Sequence, residues 1–409
     1  MSYIGRSVKR IEDFPLLSGR AKFVGDLSFS DQLHMRVVRS PVAFGRLLEI
    51  DSDNAQYLPG VVSVWTRDNV KNIPPIDFRQ VGVEELTPYR QYVLAKDYVR
   101  YVGEPAAVVF AEDAYIAEDA AELVFLNIEE LLPTREAIDV PGTFDESLKT
   151  EAAIIEKSYG NVDVAFETAD RVIEMDLAVG RQSGVPLETR GLIARLVKES
   201  FLLEVYGAAK IPHINRDILA TMLEIDSSSI QLFENHVGGS FGIRGELYPE
   251  DVLVCLAAIK LGRPIKWIED RREHLTAANH SRGQIHHIRA AIDDRGFISA
   301  LDDEFWYDQG AYVRTHAATV PELTASMLPG PYVVPAYRSV GHIRLTNKTP
   351  AGTYRAPGRF EGTFVRERLM DEIARQLGHD PIEIRRVNFI PSTDMPFDQI
   401  GRASCRERV

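Results

Sequence analysis

Cysteine is nearly absent from this chain: there are two in 409 residues, Cys255 inside the apolar stretch VLVCLAAIKLG and Cys405 near the end. Two thiols build neither a disulfide framework nor a thiolate metal site. An iron–sulfur cluster, which takes about four cysteine ligands, is excluded from this chain. Long apolar runs are missing too. Nothing approaches the roughly 18 to 20 residues that cross a bilayer, and the opening MSYIGRSVKRIEDF lacks the apolar core of a secretory signal. Positive charge is in deficit, with 47 Lys and Arg against 60 Asp and Glu and a formal charge of −13. No basic cluster interleaved with aromatics interrupts it, so the surface repels polyphosphate. The expectation is a cytoplasmic protein with no nucleic-acid partner and no membrane span.

What is present is an ordinary globular balance, 45% apolar and 26% charged, with length for two or three packed domains. The pattern LHMRVVRSPVAFGRLLEID (33–51) reads as two strands about a turn at Ser40-Pro41, and VVSVW follows as a buried strand after Gly60. Ala106 to Ala111 is a further strand, Glu112 and Asp113 open an amphipathic helix to about Val124, and FLNIEELLP returns as a strand. Residues 1–135 are thus expected to form one compact α+β unit and 136–149 a linker, with a second α+β unit over 150–399. In the second unit the spacing predicts strands over RVIEMDLAV, GLIARLVK, SFLLEVYG and SSSIQLFEN, a helix around Ile214–Leu223, and strands between Gln284 and Tyr307. It also predicts helices from Pro249 to Leu261, closed by Gly262, and from Phe364 to Leu377, closed by Gly378. Asp380-Pro381 starts another helix, expected to be cut short. The last ten residues, Ile400–Val409 (IGRASCRERV), match the translation of a common short-read sequencing adapter. They are expected to be foreign, and the protein to be truncated.

Three segments carry candidate chemistry. His236-Val237-Gly238-Gly239-Ser240-Phe241-Gly242-Ile243-Arg244-Gly245 lets the backbone approach a ligand, with free N–H groups ahead of a helix that suit an anion or an oxo group. Its G-x-x-G-x-x-G spacing is wrong for a dinucleotide fingerprint, and a plain tight turn stands as the alternative. Gln182, in Gly180–Gly191 (GRQSGVPLETRG), offers an uncharged amide that can donate to a metal-oxo group, although a lone glutamine is more often a surface residue. Arg355 and Arg359, in TYRAPGR, suit phosphate or pterin carbonyl oxygens, or else surface ion pairs. Among the histidines, His274, His280, His286 and His287 show no zinc-type spacing.

Taken in order, these segments resemble the molybdopterin-binding large subunit of the xanthine dehydrogenase and aldehyde oxidase family, with a likeness to carbon monoxide dehydrogenase large chains. GRSVKRIEDFPLLSGRAKFVGDL, RSPVAFGRLLEID and RYVGEPAAVVFAEDAYIAEDAAELV are similar to its α/β hammerhead domain, and 150–399 to its first molybdopterin-binding domain, the second being absent. The resemblance implies that Gln182 hydrogen-bonds a molybdenum oxo ligand, that Gly238, Gly239, Ser240, Phe241 and Gly242 line the cofactor, and that Arg355 stands beside the metal, which no side chain ligates. It implies molybdenum–molybdopterin in the cytosine dinucleotide form, and FAD and iron–sulfur clusters on a medium and a small partner subunit in a dimer of heterotrimers. It implies oxidative hydroxylation of a small aldehyde or N-heterocycle, with the base glutamate in the missing half; a non-catalytic binding or assembly domain is the alternative. Three departures matter: Ser240 stands where a third glycine is usual, Ala356 where carbon monoxide oxidisers place a copper-binding cysteine, and Gly245 and Leu323 where purine oxidisers place Glu and Arg. Carbon monoxide and purines are therefore disfavoured substrates.

Overall fold

The computed structural model describes residues 3–78, 83–207, 211–316, 319–395 and 397. Strand Pro105–Ala111 (PAAVVFA) is buried at every position, as a run without polar alternation requires: it must be covered on both faces. Ala107 and Val109 pack under helix Ala114–Glu122, while Val108 and Phe110 face the largest core, shared with helix Pro249–Leu261. That helix is apolar on all sides because it is enclosed on all sides, and it ends where expected, at Gly262 with φ +65°.

Pro105–Ala111 belongs to a seven-stranded sheet. Its order is Ile230–Phe233, Leu202–Tyr206, Gly191–Val197, Ile265–Ile268, Leu33–Arg39, Pro105–Ala111, Val61–Trp65. Three of these strands come from the first expected unit and four from the second, joined where Leu33 and His34 lie parallel to Ile265 and Lys266. The linker in sequence is therefore not a break in the sheet. A three-stranded sheet, Tyr98–Val99, Gly45–Asp51 and Phe125–Glu130, completes the amino-terminal part.

A five-stranded sheet forms the rest, in the order Glu151–Tyr159, Ala336–Leu345, Ile298–Gly310, His280–Ile292, Arg171–Ser183. Helices Thr319–Met327 and Arg359–Leu377 pack on it through Leu328, Val365, Leu369 and Ile373. The latter helix starts five residues before the expected Phe364. Gly362, which interrupts the apolar period in the sequence, is inside it, because a side chain there would crowd the backbone of Thr324 and Leu328 at 3.3 to 3.5 Å. Helix Pro381–Asn388 carries its predicted Asp380 cap but ends on its own account, with Phe389 extended, before Pro391. Its end is not set by the suspected foreign tail, which lies outside the described residues. No helix among the described residues is long and apolar enough to cross a membrane.

Candidate functional site

Gln182 sits near the end of strand Arg171–Ser183, paired in register with Ser281, and is exposed. Just beyond it the chain passes Gly184, where a Cβ would meet the Tyr354 ring at 2.9 Å and the Ile243 side chain at 3.1 Å. That single contact already brings the three sequence segments together. The chain then runs beside the glycine-rich loop: the Glu188 N–H donates to the Gly238 carbonyl (3.1 Å), and the Gly238 N–H donates to Glu188 Oε2 (2.8 Å). Arg244 closes this side, donating to the Gly239, Glu188 and Thr189 carbonyls and to Glu188 Oε2.

The loop itself is left-handed at Gly239 (φ +107°), Phe241 (+53°) and Gly242 (+113°). Gly242 is obligatory: a Cβ there would lie 2.5 Å from the Thr353 carbonyl oxygen. The Arg355 N–H donates to the Phe241 carbonyl at 2.7 Å, so the arginine turn and the glycine loop share a backbone hydrogen bond. Phe241 and Arg355 are exposed, whereas the Ser240 hydroxyl is buried without a hydrogen-bond partner. The loop does not run straight into a helix as expected. A 3-10 turn, Ile243–Gly245, intervenes, and the N-terminus of helix Pro249–Leu261 is buried, its Tyr248 N–H taken by Asp251. The anion-binding argument thus falls on the loop's own backbone and not on a helix end.

The residue that ties the site together was not read from the sequence. Arg282 is buried, at φ +68°. Its guanidinium donates to the Arg355 carbonyl (2.7 Å), the Ala356 carbonyl (3.4 Å) and Glu361 Oε1 (3.1 Å), and lies over the rings of Tyr354 (4.8 Å) and Phe360 (4.2 Å). Its neighbour Ser281 is the register partner of Gln182, so one strand carries both halves of the site. The available signal was Arg282-Gly283 interrupting a strand pattern, the mark of a kink or close approach. Glu361 is wholly buried, and burial holds its carboxyl above the ordinary range although Arg282 pulls the other way. On the other flank of the loop, buried Glu246 accepts from the N–H groups of His316 (3.0 Å) and Thr353 (3.3 Å). Burial raises its carboxyl, but His316 outweighs this and holds it below the ordinary range.

Among the described residues six non-glycines have positive φ, and three of them, Phe241, Arg282 and Ala356, are at this site. Such strain gathers where surrounding structure holds a reactive or binding geometry. Ser183 and Ser281, flanking Gln182, also bury hydroxyls without partners. Beside Gln182 opens a cleft of about 540 Å³ lined by Ser183, His280, Leu275 and Lys348. Burial and the neighbouring Arg181 push the His280 imidazole down to about 4, so it is neutral there. Of the other histidines singled out in the sequence, His274 is held by Glu269 (2.8 Å), His286 by Asp303 (3.0 Å) and His287 by Asp176 (2.8 Å). Among the described residues no group of three or more His, Cys, Asp or Glu is placed to hold a metal.

Residues 144–389 match the family model of a molybdopterin cofactor-binding domain, and residues 18–132 that of the aldehyde oxidase and xanthine dehydrogenase a/b hammerhead domain. The chain belongs to the molybdopterin-binding subunits of the xanthine dehydrogenase and aldehyde oxidase family. It is 40% identical over 403 residues to the 6-hydroxypseudooxynicotine dehydrogenase complex subunit gamma of Paenarthrobacter nicotinovorans, covering 97% of this chain and 51% of that subunit. The fold superposes on quinoline 2-oxidoreductase from Pseudomonas putida 86 with a TM-score of 0.91 at 35% identity, again over 97% of this chain and 51% of the other. This molybdopterin-family chain therefore spans about half the length of these relatives. Against the nicotinate dehydrogenase large molybdopterin subunit of Eubacterium barkeri, 27% identical, it covers 94% of its own length and 89% of that subunit. The residues present fit a molybdopterin group: an exposed amide, an exposed guanidinium and unpartnered hydroxyls border one strained loop.

Proposed function

We propose that the enzyme containing this chain hydroxylates an N-heteroaromatic substrate of the pyridine or quinoline kind. Water supplies the oxygen, and electrons leave through an iron–sulfur small subunit and an FAD medium subunit in a dimer of heterotrimers. The observation that carries this reading is the hydrogen-bonded convergence of the Gln182, Ser240 and Arg355 segments, exposed side chains outward, on a strained loop. Gln182, the backbone of Gly238–Gly242, the Ser240 hydroxyl and Arg355 would hold molybdenum–molybdopterin, in its cytosine dinucleotide form. When bound, that group supplies a Lewis-acidic metal and a two-electron acceptor.

The Gln182 amide donates a hydrogen bond without changing the charge of the site, and Arg355 sets a fixed positive fork beside an anionic group. Phe241, held left-handed, presents an exposed apolar ring beside the turn that carries Arg355. Gly245 and Leu323 give a purine's polar edge no charged partner, and Ala356 offers no thiolate for copper. The three relatives' names, on a hydroxypseudooxynicotine, a quinoline and a nicotinate, share a nitrogen heteroaromatic. The assembled enzyme is cytoplasmic. The test is turnover of the molybdenum-loaded complex on quinoline, nicotine, hypoxanthine and benzaldehyde. Oxidation of the first two at least about tenfold faster supports the reading, and preference for the purine or the aldehyde overturns it.

A further inference from the structure

One buried carboxylate joins three segments that border the site. Glu246 follows the 3-10 turn Ile243–Gly245 and is 2% exposed. Its Oε2 accepts the His316 N–H (3.0 Å) and its Oε1 the Thr353 N–H (3.3 Å), while His316 Nδ1 lies 3.3 Å from Oε1. Burial pushes the carboxyl up, but His316 and Arg314 outweigh it. Both oxygens therefore act as charged acceptors, which hold N–H groups more strongly than neutral ones do.

Each N–H that Glu246 holds leads to a different wall of the site. From His316, whose carbonyl accepts the Thr319 N–H (3.0 Å), the chain enters helix Thr319–Met327, which carries Leu323. From Thr353 it runs to Arg355 and Gly358. The two walls meet at Gly358, where a Cβ would lie 2.5 Å from the Val320 carbonyl oxygen and 2.6 Å from Leu323 Cβ. Leu323 thus stands beside the turn that carries Arg355. Gly352 makes room for the carboxylate itself, since a Cβ on it would lie 2.6 Å from Glu246 Oε1.

The two walls are not held equally. The Arg355 turn has its own bonds to the glycine-rich loop, from Thr353 Oγ1 to the Gly242 carbonyl (3.3 Å) and from the Arg355 N–H to the Phe241 carbonyl (2.7 Å). The segment before the helix relies on Glu246, on the Leu247 N–H donating to Thr315 Oγ1 (3.1 Å), and on Arg314 lying over the Tyr248 ring at 4.8 Å. Arg314 spends its hydrogen bonds on Gln91, Tyr101 and the Ala277 carbonyl, away from the loop. Loss of the Glu246 charge therefore frees the Leu323 wall more than the Arg355 wall.

We infer that Glu246 is a positioning residue for the substrate end of the site. Without touching substrate, it fixes Leu323 against the glycine-rich loop and the Arg355 turn, and so sets how closely a flat ring is received. This rests on the heteroaromatic reading above and adds to it the residue that sets the fit.

The assembled complex carrying Glu246→Gln, which keeps the length of the side chain and one acceptor oxygen, tests this. It should keep its molybdenum, because Gln182, the loop and Arg355 retain their own supports. KM for the heteroaromatic that wild type oxidises fastest should rise at least about tenfold, while kcat per molybdenum changes less than about threefold. In the same complex without substrate, hydrogen–deuterium exchange should quicken about tenfold at the His316 amide, less at Thr353, and not at Gly238–Gly242. If Glu246→Gln does not assemble, Thr315→Val, which removes the neighbouring tether and leaves Glu246 charged, should move KM and exchange the same way by a smaller factor. A fall in kcat at unchanged KM, loss of molybdenum from a folded Glu246→Gln complex, unaltered exchange at His316, or failure of both variants to assemble would overturn the inference. A wild type that prefers the purine or the aldehyde sinks the heteroaromatic reading alone, and the KM shift on that preferred substrate, with the exchange at His316, still decides the role of Glu246.

Discussion

Two regions of this molecule bury arginines beside glutamates, and they are opposites. In the first, Arg190 pairs with Glu250 and Glu269, Arg39 with Glu250 and Glu273, and His274 with Glu269, while Tyr248 and Trp267 stack on the Arg190 guanidinium. Every charge there has a counter-charge, and the network bolts the strand carrying Arg39 to helices Pro249–Leu261 and Arg271–Ala277. In the second, Arg282 and Glu361 hold a turn whose exposed groups, Gln182 and Arg355, and whose buried Ser240 hydroxyl have been left for something else. Buried charge alone therefore marks structure, and so does a lone unpartnered polar atom, since His274 Nε2 and Trp267 Nε1 lack partners in the first network too; the site is marked by such groups together with left-handed backbone at Phe241, Arg282 and Ala356.

Breaking the first network should have the largest effect on stability. Arg190→Ala leaves Glu250 and Glu269 buried and under-compensated, and a loss of about 3 to 5 kcal/mol is expected; chemical denaturation of the chain measures it. Arg282→Ala should cost somewhat less, about 2 to 3 kcal/mol, because Glu361, already held above its ordinary range by burial, can take up a proton. Arg282→Met combined with Glu361→Gln should recover most of that stability but not cofactor retention, since nothing then holds the Arg355 carbonyl. Recovery of both would place Arg282 outside the site's support.

Acid should act on the networks unequally. Burial works to raise the Glu269 carboxyl, but Arg190 and His274 outweigh it and bring it down to about 2. A carboxylate depressed in the folded state contributes stability that is full above its unfolded value, about 4.3, and is lost as pH falls through the folded one. Unfolding followed by fluorescence should therefore steepen between about pH 4 and pH 2, and Glu269→Gln should flatten that limb. The smallest change concerns Phe241. Its left-handed backbone costs about 1 kcal/mol relative to glycine, so Phe241→Gly should leave thermal stability equal or slightly higher, within about 1 kcal/mol, while loosening the site.

Local signals carried much of the fold into view. Helix Pro249–Leu261 with its Gly262 stop, and Asp113 and Asp380 as caps, follow from nearest-neighbour chemistry and appear as expected. The Gln182, Ser240 and Arg355 segments were visible through family likeness, and the structure brings them together. Non-local features stayed hidden. Strand Ile265–Ile268 joins Leu33–Arg39 across more than two hundred residues, and no short window encodes that. Arg282 looks like any strand arginine until the kink at Gly283 and the Arg355 carbonyl are placed together. Gly362 hid the first turn of its helix because its reason is a neighbour, the Thr324–Leu328 backbone.

The central claim is that the site's unsatisfied groups await a molybdenum–pterin group and contribute little to folding. The most direct measurement is the molybdenum-to-protein ratio of the assembled complex carrying Gln182→Ala, Ser240→Ala and Arg355→Ala together, alongside its melting temperature. The account predicts that molybdenum falls at least about tenfold while stability changes by less than about 1 kcal/mol. Full molybdenum content in the triple variant, at an unchanged melting temperature, would contradict it.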